Sequence, residues 1–168
     1  NGFPNCCSIY LMCASHNTVV GNNISRSGCG IWLCKASNNS IFGNNLTANA
    51  YDGIMLYQSS SNDIYENDIT DHGTGIWLQL SSMNNGIFRN KIAMNWRACI
   101  VLWSGNYNSI FENEMMNSVN GVRLYVQSSN NTIYHNNFIN NTSQVCEFDS
   151  INTWDDGYPS GGNYWSDY

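Results

Sequence analysis

The sequence is poor in charge, and this scarcity excludes several classes of protein. Only 11% of its 168 residues are charged, and its six Lys and Arg are scattered along a chain of net charge −6. Such a chain has no basic patch that could displace counterions from phosphates, so we expect no nucleic-acid partner. It also lacks any run of 18 apolar residues, so we expect no membrane span.

Other signals are missing as well. The chain has no initiator Met and no basic-then-apolar signal segment at Asn1, which is typical of a processed mature chain or a trimmed one. The cysteines lack the C-x-x-C spacing of zinc sites, and the three His lie far apart, so we expect no metal site and no cofactor. The seven cysteines favour an oxidising, extracellular location, and their odd number leaves at least one thiol free or bonded to another chain. They are Cys6, Cys7, Cys13, Cys29, Cys34, Cys99 and Cys146.

Six N-x-S/T sequons agree with export and are candidate glycosylation sites, which makes glycans a partner that the sequence allows. In a chain so rich in Asn, several sequons would arise by chance. The sequons begin at Asn23, Asn38, Asn45, Asn130, Asn140 and Asn141.

A repeat of 22 to 23 residues dominates what the sequence does contain. Its unit is N-x-(apolar)-x-x-N-x-(apolar), followed by a third segment such as GIWL at 30–33 and 75–78. The first Asn of the unit falls at 17, 39, 62, 85, 108 and 131, and the second at 22, 44, 67, 90, 113 and 136. Alternation in the third segment places Ile31 and Leu33 inside and Trp32 outside.

Three short strands in each unit predict an all-β fold, a parallel β-helix with rungs of 22–24 residues. One unit cannot bury its own apolar side chains, but stacked copies form a continuous core with strands about 4.8 Å apart. We expect a single domain over residues 1–168, with repeats over about 6–139 and a C-terminal cap or tail over about 140–168. The Asn columns should lie inside the corners, each amide bonded to the next. One internal column should contain Ile41, Ile64, Ile87, Ile110 and Ile133.

This rhythm over residues 8–139 resembles the NosD-type right-handed β-helix repeats. The ending GGNYWSDY at 161–168 resembles the tail of such repeats in surface proteins of methanogenic archaea. The resemblance implies a right-handed solenoid and a location on the archaeal cell surface. It implies no activity, because a fold alone does not assign one.

Charged residues also fall into columns when the repeats are stacked. Glu66 and Glu112 are two rungs apart, about 9.6 Å, which is near the upper carboxylate spacing of inverting glycosidases. Arg89 on the rung between them would keep both carboxylates ionised, so we expect ion pairs and no catalysis. Asp71 and His72 have no Ser or Cys neighbour in their column and predict no triad. We therefore expect no catalytic residues.

Aromatic residues recur in three outward columns. A monomer that exposed them all would show an apolar area of many hundred Å², on the order of the largest patches that soluble monomers tolerate or above it. The columns could be flat platforms for sugar rings or surfaces covered by neighbouring subunits, and the tail could cover one of them. We favour assembly. The candidate intersubunit residues are Trp32, Trp77, Trp103, Tyr57, Tyr125, Phe42, Phe88 and Phe111.

Together these features predict a non-enzymatic structural protein of an archaeal cell envelope, which assembles with copies of itself into a sheath or surface layer. Open strand edges at each end of a solenoid would invite another copy. The alternative is an extracellular carbohydrate-binding or polysaccharide-cleaving β-helix, for which the sequence offers only DDG at 155–157 as a calcium signal. A periplasmic copper-related protein follows from the NosD resemblance alone. Met12, Cys13 and Cys34 lie close in the stack, but no His accompanies them.

The register also predicts how the cysteines pair. Cys7 and Cys29 share a column on successive rungs, with Cα atoms about 4.8 Å apart, a separation that a disulfide accepts. Cys13 and Cys34 are one position out of register and could close diagonally with more strain. Cys6 and Cys146 lie at opposite ends and could link stacked copies. Cys99 replaces the Gly of its column, and we expect it to be a buried free thiol.

Overall fold

A computed structural model describes residues 7–167 as a stack of short parallel strands, with no helix in that range. Each turn contributes one strand to each of three sheets, and successive turns pair in register at intervals of 22 to 24 residues. The all-β parallel solenoid with three strands in each rung is therefore confirmed. Nowhere in residues 7–167 is there a helix long and apolar enough to cross a membrane.

Sheet A contains the seven longest strands: β1 Cys7–Met12, β4 Cys29–Cys34, β7 Asp52–Tyr57, β10 Thr74–Gln79, β13 Ala98–Trp103, β16 Asn120–Tyr125 and β19 Ser143–Glu147. Sheet B has six strands: β2 Thr18–Val20, β5 Ser40–Phe42, β8 Asp63–Tyr65, β11 Gly86–Phe88, β14 Ser109–Phe111 and β17 Thr132–Tyr134. Sheet C has seven: β3 Asn23–Ser25, β6 Asn45–Thr47, β9 Asp68–Thr70, β12 Lys91–Ala93, β15 Glu114–Met116, β18 Asn137–Ile139 and β20 Tyr164–Trp165.

The core lies between the three sheets and consists of stacked aliphatic columns. The predicted column on sheet B is present, in register and fully buried, at Ile41, Ile64, Ile87, Ile110 and Ile133. Burial of each such side chain contributes about 1.5–3 kcal/mol. The period-two alternation of these strands thus supplies the apolar interior that one rung alone could not form.

Asn side chains form ladders inside two corners, as predicted. The amide nitrogen Nδ2 of Asn67 donates to Oδ1 of Asn90 at 2.9 Å, and Nδ2 of Asn90 donates to Oδ1 of Asn113 at 3.0 Å. Asn90 Nδ2 also donates to the carbonyl of Ile64 at 2.9 Å. Each Asn therefore satisfies backbone and side-chain groups that the tight corner removes from water.

A third corner column was not foreseen, although its spacing of 22 and then 23 residues is visible in the sequence. It consists of Ser27, Asn49, His72, Asn95, Ser118 and Asn141. His72 is fully buried there, accepting from the Asn49 N–H at Nδ1 (3.1 Å) and contacting the Leu46 carbonyl through Nε2 (3.1 Å). Its role is structural, which agrees with the expectation that Asp71 and His72 form no triad.

We expect the buried imidazole to make stability depend on pH. Burial lowers the pKa of His72 below its usual 6.5, against the opposing effect of the Asn49 and Leu46 backbone groups. At a pH just below 6.5, His72 is therefore protonated in the unfolded chain but still neutral in the folded chain. The free energy of unfolding consequently falls as pH drops below 6.5. His72→Asn, which repeats the residue found at 49 and 95, should remove that fall. Urea denaturation at pH 7.5 and pH 5.5 measures it. His16→Asn, at an exposed His, is the matched control, and an unchanged pH dependence in His72→Asn would contradict the assignment.

The charged column lies at a turn that needs left-handed backbone. It begins with glycine at Gly21 and Gly43, and the same positive φ, between 53° and 68°, continues in the polar residues that follow. One predicted ion pair is present there, with Arg89 Nε donating to Glu112 Oε2 at 2.7 Å. Within residues 7–167, Glu66 takes part in no such pair. Between described residues of this exposed column there is one ion pair, worth about 0 to 1 kcal/mol.

In four of the seven long strands of sheet A (β4, β7, β10 and β16), a glycine lies inward, just before a buried aliphatic residue of the strand. A Cβ at Gly30 would lie 2.5 Å from both the Leu46 side chain and the Gly53 carbonyl, so a larger residue there collides with the next rung. Cys99 takes this position on β13 and is fully buried, as predicted, with Sγ 3.2 Å from Ser118 Oγ. Ser118 stands where the three preceding rungs have Asn49, His72 and Asn95, and this smaller side chain leaves room for the thiol.

The tail builds a seventh, irregular turn. Asn152 and Asn163 accept from Asn131 and Asn136 and so extend both predicted Asn ladders by one step. Trp165 stacks on Phe138 with ring centroids 4.6 Å apart, and Trp154 packs against the same core. Two indoles thereby cover this end of the aliphatic columns.

Candidate functional site

A groove crosses the outer face of sheet A over strands β10, β13 and β16 and the segment after β19. Its volume is about 670 Å³, within the usual range for ligand sites. We call it the sheet A groove. It is lined by Trp77, Arg97, Val101, Trp103, Arg123, Tyr125, Val126, Phe148 and Asp149.

Two guanidinium groups give the groove a local positive charge. Arg97 lies between two indoles, with Cζ 5.5 Å from the Trp77 ring centroid and 5.7 Å from that of Trp96. Arg123 stacks over the Tyr125 ring with Cζ 4.7 Å from its centroid. In the part of the chain that the structure describes, neither guanidinium has a carboxylate within 4 Å. Two of the six cations of a chain of charge −6 are thus gathered in this groove.

Aromatic side chains supply the rest of the lining. Trp103 is 44% exposed, and its ring centroid lies 6.2 Å from that of Tyr125 at an angle of 54°. Several polar atoms at the groove are buried and have no hydrogen-bond partner within residues 7–167, and leaving such an atom unpaired costs about 1–3 kcal/mol. They are Trp77 Nε1, Arg123 Nε and Tyr125 Oη. An oxygen-rich ligand in the groove could satisfy them.

A buried carboxyl group lies on the same face, nearer the N-terminal end. Asp52 starts β7 and is in register with Thr74 at the start of β10. Burial raises the pKa of Asp52 to about 7, while the Thr74 hydroxyl and the Arg97 charge act in the opposite direction. Asp52 is therefore the carboxyl on this face whose charge changes near neutral pH.

The aromatic column on sheet B is not a flat platform for a ligand. Phe42, Tyr65, Phe88, Phe111 and Tyr134 stack on one another with centroids 4.7 to 5.2 Å apart and planes within 8°. Because each ring covers the faces of its neighbours, the column presents only ring edges to solvent. Its half-buried rings expose less apolar area than the sequence suggested.

The middle outward column of sheet A also differs from expectation, because most of it is buried. Trp32 is 7% exposed, Met55 5% and Val101 2%. Trp32 stacks on Tyr10 at 4.6 Å and packs in a cluster with Cys29 and Met55. Alternation placed these residues correctly outside the main core, but side-by-side packing along the column removes them from water. The single chain therefore exposes less apolar area along this column than its outward position suggested. That Trp32, Trp77, Trp103, Tyr57 and Tyr125 contact neighbouring subunits stays a prediction.

The cysteines lie where the register placed them. Cys7 is opposite Cys29, and the hydrogen bond between their thiols lowers the pKa of Cys7 and raises that of the buried Cys29. The backbone N–H of Cys13 donates to the Cys34 carbonyl at 2.9 Å, one position out of register. Both disulfides stay predictions.

The candidate link between copies involves the two ends of the chain. Cys146 lies in β19 opposite Arg123 of β16. Cys6 is outside the described residues. The link between these two cysteines therefore stays a prediction.

The sequons lie in different environments. Asn23, Asn38, Asn45, Asn130 and Asn140 are exposed. Asn141 is buried and donates through Nδ2 to the Met115 carbonyl and to Gln144 Oε1. A glycan at Asn141 would have to displace that amide from the corner, whereas glycosylation at the exposed sites meets no such obstacle and stays a prediction.

A Ser, a His and an Asp meet near the C-terminal loop, but their geometry is not that of a catalytic triad. Ser160 Oγ lies 3.3 Å and Asp156 Oδ1 3.4 Å from the same atom, His135 Nε2. A catalytic relay needs the nucleophile and the carboxylate on opposite ring nitrogens. These contacts instead fasten the loop to the last regular rung.

Fold and groove together define the class: a parallel β-solenoid with a groove along the outer face of one sheet. The chain belongs to the NosD family, whose model, described as periplasmic copper-binding protein (NosD), matches residues 1–123 and 80–168. No curated protein sequence matches the chain significantly. The resemblance to NosD-type repeats is thus confirmed, while the resemblance to archaeal surface proteins stays a prediction.

Solved structures of the periplasmic alginate epimerase AlgG have a similar fold. AlgG itself superposes with a TM-score of 0.75 at 26% identity, covering 81% of this chain and 35% of that one. A double mutant of AlgG gives 0.77 at 25% identity, with coverages of 82% and 34%. A single mutant gives 0.73 at 26%, with coverages of 79% and 34%. The chain spans about a third of the length of these enzymes.

These neighbours overturn the leading prediction from the sequence. We expected a non-enzymatic sheath or surface-layer protein, whereas the matching structures are those of an enzyme that acts on a polysaccharide. The carbohydrate-related alternative fits better. The error arose because outward aromatics were read as an exposed assembly surface, whereas most of them cover one another and the remainder line a groove.

The copper binding in the family description does not fit the described side chains. Residues 7–167 contain no group of three or more His, Cys, Asp or Glu side chains that could hold a metal ion. Met12 and Cys34 are in register with Cys13 beside them, which brings together only two thiols and a thioether. We therefore assign no metal chemistry to these residues.

Proposed function

We propose that this chain is a carbohydrate-active β-solenoid on the envelope side of the cell, and that it holds a polysaccharide in the sheet A groove. The observation that carries the proposal is the groove itself, in which half-exposed aromatic rings lie beside buried polar atoms without partners. Ring faces pack against the apolar faces of sugars, and unpaired donors suit hydroxyl and carboxylate oxygens.

The comparisons support the same proposal. AlgG is named as a periplasmic alginate epimerase and NosD as a periplasmic protein, and both names favour an extracellular or envelope-side location for this chain. A solenoid suits a linear polymer because its groove repeats from rung to rung at about 4.8 Å. The three strands under the groove would contact a short run of consecutive sugars.

Trp103→Ala should weaken polysaccharide binding about tenfold, because Trp103 is a 44% exposed indole on a central strand under the groove and aromatic anchors dominate such contacts. Affinity electrophoresis in gels containing a panel of polysaccharides measures the binding, and NMR of the incubated polymer detects any epimerisation or cleavage. The matched control is Tyr164→Ala, a ring 58% exposed on sheet C. If a polysaccharide still retards the Trp103→Ala protein but no longer retards the Tyr164→Ala protein, the ligand binds outside the groove and the proposal is wrong.

A further inference from the structure

We infer that the polysaccharide held in the sheet A groove is polyanionic, with carboxylate or sulfate groups on its sugars. This inference rests on the proposed function and narrows it to one class of ligand. It follows from the charges of the groove.

Two cations lie together in the sheet A groove of an acidic chain. The chain carries twice as many acidic as basic residues, 12 against 6, so a chance pair of unneutralised cations in one groove goes against its overall charge. Among the described residues, Arg89 is the one Lys or Arg side chain with a carboxylate within 4 Å, that of Glu112 on the next rung. Among the described residues Arg97 and Arg123 have no such partner, and both line the groove.

Aromatic rings hold the two guanidinium groups in place. Arg97 is fixed between the rings of Trp77 and Trp96, and Arg123 is fixed over Tyr125. Stacking leaves the planar N–H donors of a guanidinium free at its edge, where they match the two oxygens of a carboxylate or sulfate. Fixing the side chains in advance also lowers the entropy lost on binding.

The groove also contains one negatively charged lining residue. Asp149 is the acidic residue that lines the groove, and it is exposed after the last strand of sheet A. It should repel an anionic polymer without neutralising either guanidinium. Removing the charge of Asp149 should therefore strengthen binding of an anionic polymer, whereas removing the charge of either arginine should weaken it.

The experiment measures binding of the full chain to three polymers by isothermal titration calorimetry: polygalacturonate, dextran sulfate and neutral dextran. We expect binding to one or both anionic polymers, weakening as salt is raised, and none to dextran. The double variant Arg97→Gln/Arg123→Gln should bind the anionic polymer at least about tenfold more weakly. Arg89→Gln, which removes the same kind of charge outside the groove, should bind like the wild type, and Asp149→Asn should bind more tightly.

The result separates this inference from the proposed function. Binding of dextran that is lost in Trp103→Ala, with no preference for the anionic polymers, would leave the proposed function standing and overturn the polyanion. Anionic binding that Arg89→Gln weakens as much as the groove variants would overturn it too, since the charge would then act from anywhere on the surface. Absence of binding to all three polymers would count against both. The thermal melting of each variant shows that it is folded, and Asp149→Asn, which removes no packing, keeps the test decisive. Preference for polygalacturonate or dextran sulfate identifies the anionic group.

Discussion

Asn90→Ala should lower the free energy of unfolding by about 3 to 5 kcal/mol, the largest loss we expect from a single polar side chain in this protein. The substitution removes the only acceptor for the buried Asn67 backbone N–H, together with the donor to the Ile64 carbonyl. It also cuts the ladder between Asn67 and Asn113. Water cannot replace these partners, because the corner is closed by the rungs above and below.

Urea denaturation followed by circular dichroism measures this loss. Asn137→Ala is the control, since Asn137 is exposed on β18 and its replacement should change stability by no more than about 0.5 kcal/mol. Equal effects of the two substitutions would mean that the ladder contributes no more than a surface amide, and the account of the corners would be wrong.

Asp52→Asn should raise the free energy of unfolding at pH 8. The change it causes at pH 8 should exceed the change it causes at pH 3.5 by on the order of 4 kcal/mol. Burial raises the pKa of Asp52 from 3.8 to about 7, so the folded chain holds a proton that the unfolded chain has released. Below pH 3.8, Asp52 is protonated in both the folded and the unfolded chain, so its burial costs no ionisation energy. Between pH 3.8 and 7 the destabilisation of the folded chain by Asp52 grows with pH, and above pH 7 it has its full value. The amide of Asn carries no charge to desolvate.

The measurement is the difference in unfolding free energy between variant and wild type across pH, which cancels the opposite contribution of His72. Asp68→Asn, at an exposed carboxylate on sheet C, serves as the control and should show no such trend. The charged and titratable groups around Asp52 are Arg97, Cys7 and Cys29. A difference that does not change with pH would contradict a raised pKa.

Much of the fold could be predicted because the repeat constrains it twice. The Asn period fixes the corners, and the alternation around Ile41 or Ile31 fixes which side of each strand is buried. The irregular seventh turn was missed as a repeat because its steps are 21 and 27 residues, from Asn131 to Asn152 and from Asn136 to Asn163. The signal was present in NTW at 152–154 and NYW at 163–165, each an Asn two residues before an apolar ring.

The candidate site was harder to predict, because it depends on departures from the repeat. Arg123 takes the outward position that Trp holds in GIWL, and this single change in GVRL was the available signal. Arg97 lies in a turn outside the repeat unit, so column reasoning could not place it beside Trp77. Whether outward rings stack, as Phe88 does, or stay open, as Trp103 does, depends on side-chain packing that spacing alone does not determine.

The most direct test of the central claim is a crystal structure of the chain grown with an acidic oligosaccharide such as tetragalacturonate. The account predicts sugar rings along the sheet A groove, packed on Trp103 and Tyr125, with a carboxylate on Arg97 or Arg123. Oligosaccharide bound along sheet B or sheet C, with the groove on sheet A empty, would contradict it.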